Sequence, residues 1–300
     1  MKRIEEVLND LQPLKTMPTG VKFLDENLGG LYPGELTTIC GYANDGKTAL
    51  MIRMIHHLCF DNDIPVLMIL NNTSEQTFLS CMAVYYCGII CEDVHKVNVD
   101  HDGTKDYWKL LREKPFYMAH QEELKEERIE DLKKNMKNQG IRAVFVEEVS
   151  SFDFLRVRKD RTGVYLKGLA KELQVSMVVE QEFDNVCEEW CGWSPFCLTR
   201  FEQTDLVNHA DNVIGIMDYA NHENHDEQGR DMSGLVNLII MKHKGLASIR
   251  KDVFLRRITL YCRDWRRAME YEISDMVVAN PHIQDLAQKF GCVLTEEMIL

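Results

Sequence analysis

The chain contains the stretch Gly41-Tyr42-Ala43-Asn44-Asp45-Gly46-Lys47-Thr48, which has the form G-x-x-x-x-G-K-T. The two glycines let the backbone curl so that its N–H groups point at an anion. The lysine adds a positive charge, and the threonine hydroxyl is a suitable Mg²⁺ ligand. A β-prone run at 36–40 precedes this stretch, and a helix-forming run at 49–55 follows it. The order strand, loop, helix predicts a phosphate-binding loop, because a helix start adds partial positive charge at the phosphates.

This loop supplies most of the candidate cofactor-binding residues. They are Gly41, Asn44, Asp45, Gly46, Lys47, Thr48 and Ala49. We expect Lys47 to contact the outer phosphates and Thr48 to bind the metal. For Asp45, an acid beside phosphates, we favour a hydrogen bond within the turn. The alternative interpretation of the whole stretch is a glycine-rich turn that only caps a helix.

Apolar runs alternate with helix-forming segments along the rest of the chain. The runs 65–70, 143–146 and 175–179 are almost wholly apolar, as expected of strands buried on both faces of a parallel sheet. The alternation predicts an α/β fold with a mainly parallel, twisted sheet and helices on both faces. Ligands of such sheets bind at the carboxyl ends of the strands. The polar residues that follow these three runs there are Asn71, Glu147 and Gln181.

Weaker patterns predict the remaining elements. Polar segments rich in acids predict a helix at 121–138, and short apolar runs predict strands at 116–118, 213–217, 235–241 and 258–261. A His-, Asn- and Gly-rich hairpin loop is expected at 221–233, and an appended helix and tail at 282–300.

The composition restricts the class of protein. No apolar run is long enough to cross a bilayer, and the charged N-terminus does not predict a signal peptide. Ten dispersed cysteines, mostly within apolar runs, are typical of reduced thiols, so we expect a cytoplasmic protein without a membrane partner. The net charge of −13 argues against a surface that coats polyanions. Any contact with nucleic acid would be local, or made in an oligomer.

The order of these segments resembles the RecA-fold motor domain of hexameric replicative DNA helicases of the DnaB type. The resemblance covers residues 14–262 and is most specific in the amino-terminal half. The segments that carry it are Thr19-Gly20, Leu24-Asp25, Gly29-Gly30-Leu31, Pro33-Gly34-Glu35-Leu36, Gly46-Lys47-Thr48-Ala49-Leu50, Leu169-Ala170-Lys171-Glu172-Leu173, Asp211-Asn212-Val213-Ile214 and Ile239-Ile240-Met241-Lys242-His243-Lys244.

The resemblance implies ATP and Mg²⁺ as cofactors of a RecA-like P-loop NTPase. Thr48 and Glu147 would serve the metal, Gln181 would sense the γ-phosphate, and Lys244 would act in trans on a neighbour's nucleotide. The implied domains are an amphipathic helix and linker at 1–18, the ATPase domain at 19–267 and a helical tail at 268–300. The implied oligomer is a ring or filament.

The amino-terminal helix has two open interpretations. At 1–12 it places apolar residues on one face, and that face packs either on its own domain or on a neighbouring subunit. Together with Lys242–Lys244 it is the predicted oligomer contact.

Several departures from the family pattern bear on hydrolysis and on contact with DNA. Asn71 stands where the family has the glutamate that activates water, and an amide orients water but takes no proton at neutral pH. Glu147 replaces the usual aspartate but keeps a carboxylate for Mg²⁺, with a longer reach. Lys244 replaces an arginine, which keeps the charge but removes a bidentate fork. The loop at 184–204 is acidic, and for its aromatic residues we favour packing over base stacking.

Two functions therefore remain open. The chain is either a helicase-like ATPase of DNA replication that translocates on single-stranded DNA, or a nucleotide-binding assembly switch or helicase accessory protein with impaired hydrolysis. We favour the first, with unwinding itself open.

Overall fold

The predicted strand, loop and helix around Gly41–Thr48 are present in the computed structural model. The structure describes residues 15–87, 97, 102–149, 161–182, 205–218, 235–244 and 253–256. The α-helices and strands of these described residues, in chain order, are α1 (Lys22–Leu28), β1 (Leu36–Gly41), α2 (Lys47–His56), β2 (Val66–Leu70), α3 (Glu75–Cys87), α4 (Lys105–Arg112), β3 (Phe116–His120), α5 (Ile129–Asn138), β4 (Ala143–Val146), α6 (Thr162–Leu173), β5 (Ser176–Glu182), α7 (Asp205–His209), β6 (Asn212–Asp218), β7 (Leu235–His243) and β8 (Val253–Arg256).

The described strands form one sheet in the order β3-β2-β4-β5-β1-β6-β7-β8. The first six strands are parallel to one another. At one edge of the sheet, β7 is antiparallel to β6, and β8 is antiparallel to β7. The loop strand β1 therefore lies between β5 and β6, near the middle of the sheet. The prediction of a mainly parallel sheet is confirmed.

Two apolar layers cover the sheet. Helices α1 to α4 pack on one face, where they meet side chains such as Ile39, Phe145 and Val178. Helices α5 to α7 pack on the other face, against residues such as Cys40 and Val179. Side chains alternate between the faces along each strand. Helices on both faces were predicted and are confirmed.

Two predicted boundaries need correction, and one helix was missed. The segment 121–138 is not one helix, because Gln121–Leu124 forms a short 3₁₀ turn, Lys125 is extended, and the α-helix begins only at Ile129. Helix α4 was not predicted. Strand β5 does not stop before Glu180, because its last three residues still pair with β1, ending with Gly41 opposite Glu182.

Several predicted segments lie outside the described residues, so those predictions stay as they are. They are the helix at 1–12, the loop at 184–204, the hairpin loop at 221–233, the strand at 258–261 and the tail at 282–300. Within the described part of the chain, no helix is long and apolar enough to span a membrane.

Candidate nucleotide-binding site

The loop between β1 and α2 is held in a tight curl by its backbone. Asn44 has φ 64° and Gly46 has φ 94°, both in the left-handed region. At Gly41 a Cβ atom would lie 2.6 Å from the carbonyl oxygen of Ile216 on β6, so this position has no room for a side chain. Glycine is therefore required at Gly41 by a close approach and favoured at Gly46 by its φ angle.

Asp45 closes this curl from within. It is fully buried, and its Oδ2 accepts a hydrogen bond from the Tyr42 N–H at 3.0 Å. Its own N–H donates to the Tyr42 carbonyl at 3.3 Å. These bonds are the turn contact that we favoured for this residue.

Lys47 is buried at the start of α2, with 6% of its surface exposed. Its ammonium group donates to the carbonyl oxygens of Gly41 at 3.2 Å and Tyr42 at 2.7 Å. It also lies 3.4 Å from Oε2 of Glu182, which is half-exposed at the end of β5. The positive charge thus lies inside the loop, beside the carboxylate of Glu182, which was not among the predicted site residues.

Glu147 lies one residue beyond β4 and is buried. Its Oε2 accepts hydrogen bonds from the backbone N–H groups of Asn71, Asn72 and Thr73, at 2.9, 3.2 and 3.2 Å. Its Oε1 accepts a hydrogen bond from the Thr73 hydroxyl. Both oxygens are therefore engaged with the segment that follows β2.

Asn71 and Gln181 occupy the ends of strands on either side of β4. The side-chain amide of Asn71 donates to the carbonyl oxygen of Glu148 at 3.0 Å. Gln181 is half-buried and pairs with Cys40, the penultimate residue of β1. The structure thus brings both predicted residues to the carboxyl ends of the strands, where the loop lies. The Asn71 amide nitrogen, however, already donates a hydrogen bond to the Glu148 carbonyl oxygen.

Glu180 lies near the loop, and the sequence prediction did not assign it to the site. It pairs with Ile39 and is 2% exposed. Burial raises the pKa of its carboxyl to about 7; Lys47 and a hydrogen bond to Thr48 oppose this rise, and Glu147 and Glu148 add to it. The alternation of side chains along a strand could have placed Glu180. Val178 lies on the sheet face that α2 covers, and Glu180, two residues later, lies on the same face.

Lys244 does not join these residues within one chain. Its Nζ lies 3.3 Å from Oε1 of Glu35 and 3.3 Å from the centroid of the Tyr32 ring. Glu35 precedes β1, whereas the loop follows it, and a strand of this length spans about 17 Å. Lys244 therefore lies near the amino-terminal end of β1, whereas the loop of the same chain lies at the carboxyl end of β1.

Lys242 caps a helix in this structure. Its ammonium group donates to the carbonyl oxygens of Val207 at 3.1 Å and Asn208 at 2.9 Å, in the last turn of α7. Burial lowers the pKa of this lysine, and Asp211 opposes that shift.

A divalent metal at this edge would depend on the nucleotide. Among the described residues, no group of three or more His, Cys, Asp and Glu side chains is arranged to hold a metal ion. Mg²⁺ characteristically takes one or two protein oxygens together with phosphates and waters. The Thr48 hydroxyl beside the Glu180 carboxyl fits that requirement.

Comparison with known proteins agrees with the fold. The family model of the DnaB-like helicase C-terminal domain matches residues 16–260. The chain belongs to this family. The RecA-like fold expected from the resemblance is confirmed, and the chain is a helicase-related RecA-like ATPase domain. A search of curated protein sequences found no match.

Two solved structures illustrate the similarity of this DnaB-like domain to its neighbours. One, described as an ATPase domain, superposes with a TM-score of 0.68 at 16% identity, over 86% of this chain and 93% of that one. The other, a DnaB-like replicative helicase described with its interactions with primase, gives a TM-score of 0.65 at 17% identity, over 84% of this chain and 62% of that one. At these identities the likeness establishes the fold alone.

Proposed function

We propose that this DnaB-like domain binds ATP with Mg²⁺ at the Gly41–Thr48 loop and hydrolyses it as a subunit of a cytoplasmic ring or filament. The work done would be translocation on single-stranded DNA during replication. The observation that carries the proposal is the loop itself. Positive φ angles at Asn44 and Gly46, with buried Asp45 and Lys47, hold it curled at the start of α2. The first N–H groups of a helix lack intrahelical acceptors and attract phosphate.

Each predicted residue has a role in this proposal. Lys47 exchanges its carbonyl partners for the outer phosphates, and the neighbouring loop residues, from Gly41 to Ala49, surround them. Thr48 binds Mg²⁺ with a carboxylate from the adjacent strands, for which the sequence assigned Glu147. Gln181 senses the γ-phosphate from the end of β5. Lys244 acts on the nucleotide of a neighbouring subunit.

A second candidate function is a nucleotide-dependent assembly switch, or a helicase accessory protein, that hydrolyses ATP poorly. One observation favours it. Asn71, the residue after β2, has an amide that takes no proton, and its nitrogen already donates to the Glu148 carbonyl oxygen. A weak general base would lower turnover without affecting nucleotide binding.

Steady-state ATP turnover, with and without single-stranded DNA, tests the two functions. The helicase-like ATPase predicts turnover that DNA stimulates and that Lys47→Ala abolishes. The switch predicts that ATP binds, that turnover stays at background, and that Asn71→Glu raises it. Turnover that persists in Lys47→Ala would contradict both, because the activity would then not come from this loop.

A further inference from the structure

Glu180 is a buried acidic side chain near the loop. It lies on β5, directly beside β1, on the sheet face that α2 covers. Its Oε1 atom is buried and has no hydrogen-bond partner among the described residues. A buried carboxylate oxygen without a donor is costly, and such an atom in a native site points to an interaction that the protein chain alone does not supply.

The surroundings of Glu180 indicate what that interaction is. The carboxyl group contacts the Thr48 hydroxyl and lies near the Lys47 ammonium group, and two further carboxylates, Glu147 and Glu148, surround it. A dication brought next to Thr48 would compensate this negative charge. A monovalent or neutral group would compensate it less.

Glu147, the family's position for the metal carboxylate, has little capacity left for such a role. Three backbone N–H groups and one hydroxyl already donate to its two oxygens. A carboxylate has about four lone-pair sites. Binding a metal through Glu147 would break hydrogen bonds that hold the turn after β2, whereas Glu180 would lose none at Oε1.

We propose that Glu180, rather than Glu147, is the carboxylate that holds the nucleotide's Mg²⁺ against Thr48, as a ligand of the ion or of its bound water. Glu147 acts instead as a positioning residue for the segment 71–73. This assignment rests on the proposed binding of a nucleotide at the loop. It moves the metal carboxylate from β4 to β5, the strand next to the loop strand.

The test is the effect of Mg²⁺ on nucleotide affinity, which does not depend on hydrolysis. The dissociation constant of the fluorescent nucleotide mant-ADP is measured in Mg²⁺ and in EDTA for the wild type, Glu180→Gln and Glu147→Gln. We expect Mg²⁺ to tighten binding to the wild type by about tenfold or more, and binding to Glu180→Gln by less than about twofold. Glu147→Gln should keep most of the gain.

A direct measurement of the ion supports the affinity test. Free Mn²⁺ gives an electron paramagnetic resonance signal that falls on binding, so Mn²⁺ titrated with ADP reports the metal site itself. We expect Glu180→Gln to lose Mn²⁺ affinity by about 10–100-fold in the presence of ADP. Glu130→Gln removes an exposed carboxylate on α5 and serves as the matched control, with unchanged Mn²⁺ binding.

The outcomes separate this assignment from the proposed function. If the wild type gains affinity with Mg²⁺ and Glu180→Gln gains equally, or if Glu147→Gln alone loses the gain, the assignment to Glu180 is wrong while the nucleotide site stands. If the wild type binds no mant-ADP under either condition, the nucleotide site fails and the assignment fails with it. Should Glu180→Gln not fold, Glu180→Ser gives the same readout with a smaller side chain.

Discussion

Glu147 stabilises the turn after β2 through hydrogen bonds to three consecutive residues, Asn71, Asn72 and Thr73. Hydrogen bonds to a charged group contribute more than neutral ones, and donors left buried without an acceptor are costly. We predict that Glu147→Ala lowers the free energy of unfolding by about 2–4 kcal/mol in urea denaturation. Glu130→Ala, at an exposed position on α5, should change it by less than about 0.5 kcal/mol. Equal effects of the two substitutions would contradict this role for Glu147.

The loop requires glycine at position 41, and this requirement can be tested by comparing a substitution there with the same substitution at Gly168. An added Cβ would lie 2.6 Å from the Ile216 carbonyl oxygen, a backbone atom that moves only with β6. We predict that Gly41→Ala destabilises the protein by about 1–3 kcal/mol in thermal or urea unfolding. Gly168 lies within α6 with no atom within 4 Å of an added Cβ, so Gly168→Ala should stabilise by about 0.5–1 kcal/mol. A stable Gly41→Ala protein would show that β1 and β6 are not packed this closely.

At the scale of elements, an aromatic cluster joins α2 to α3 and α4. The His56 ring lies 4.5 Å from Phe60, 5.2 Å from Tyr86 and 5.7 Å from Tyr107, measured between ring centroids. Burial lowers the pKa of His56 from 6.5 to about 4, with the Met82 backbone and Asp61 opposing the shift. The helix that carries the loop lysine thus ends in a cluster that holds a neutral histidine.

This cluster predicts a pH dependence of stability. Because the folded-state pKa is lowered, the unfolded chain binds a proton first, so stability is complete above pH 6.5 and falls as the pH drops towards 4. Between about pH 7 and pH 5, we expect the wild type to lose about 2 kcal/mol more unfolding free energy than His56→Phe. Urea denaturation at both pH values measures the unfolding free energy. The change between pH 7 and pH 5 is taken for each protein separately and then compared, so that any constant effect of the phenylalanine on packing cancels. Identical pH slopes would mean that His56 is protonated without cost.

The elements near the loop were predictable because their signals are local. The run that forms β1, the G-x-x-x-x-G-K-T stretch and the helix after it specify one another within a short span of the chain. The end of β5 was not predictable in this way. Glu180 and Gln181 were interpreted as the end of the strand, yet Glu180 remains in the strand because it pairs with Ile39, far away in sequence. Tertiary pairing overrides local propensity at such positions.

The roles of several charged side chains were also not predictable, because their partners are distant in sequence. The sequence predicted that Glu147 lies at the loop edge, and it does, but its hydrogen bonds to 71–73 depend on how β2 and β4 pair. Likewise, nothing local shows that Lys242 caps α7 or that Lys244 stacks on Tyr32. Partners distant in sequence decide how buried charges are used.

At the scale of the whole molecule, Lys244 and the loop lie at opposite ends of strand β1. If Lys244 acts on a nucleotide, that nucleotide belongs to another subunit. We predict that Lys47→Ala and Lys244→Ala are each inactive in ATP turnover, and that a mixture of the two regains activity. In the mixture, the intact loop of one variant meets the intact Lys244 of the other. A mixture no more active than its components would contradict action in trans.

The central claim is that the Gly41–Thr48 loop binds a nucleoside triphosphate. Calorimetric titration of the purified chain with a non-hydrolysable ATP analogue in Mg²⁺ tests it most directly, with Lys47→Ala as the comparison. We predict saturable binding with one site per chain, weakened about tenfold or more by Lys47→Ala, which corresponds to about 1.4 kcal/mol. An absence of binding by a folded wild-type protein, or equal affinity in the two proteins, would contradict the account.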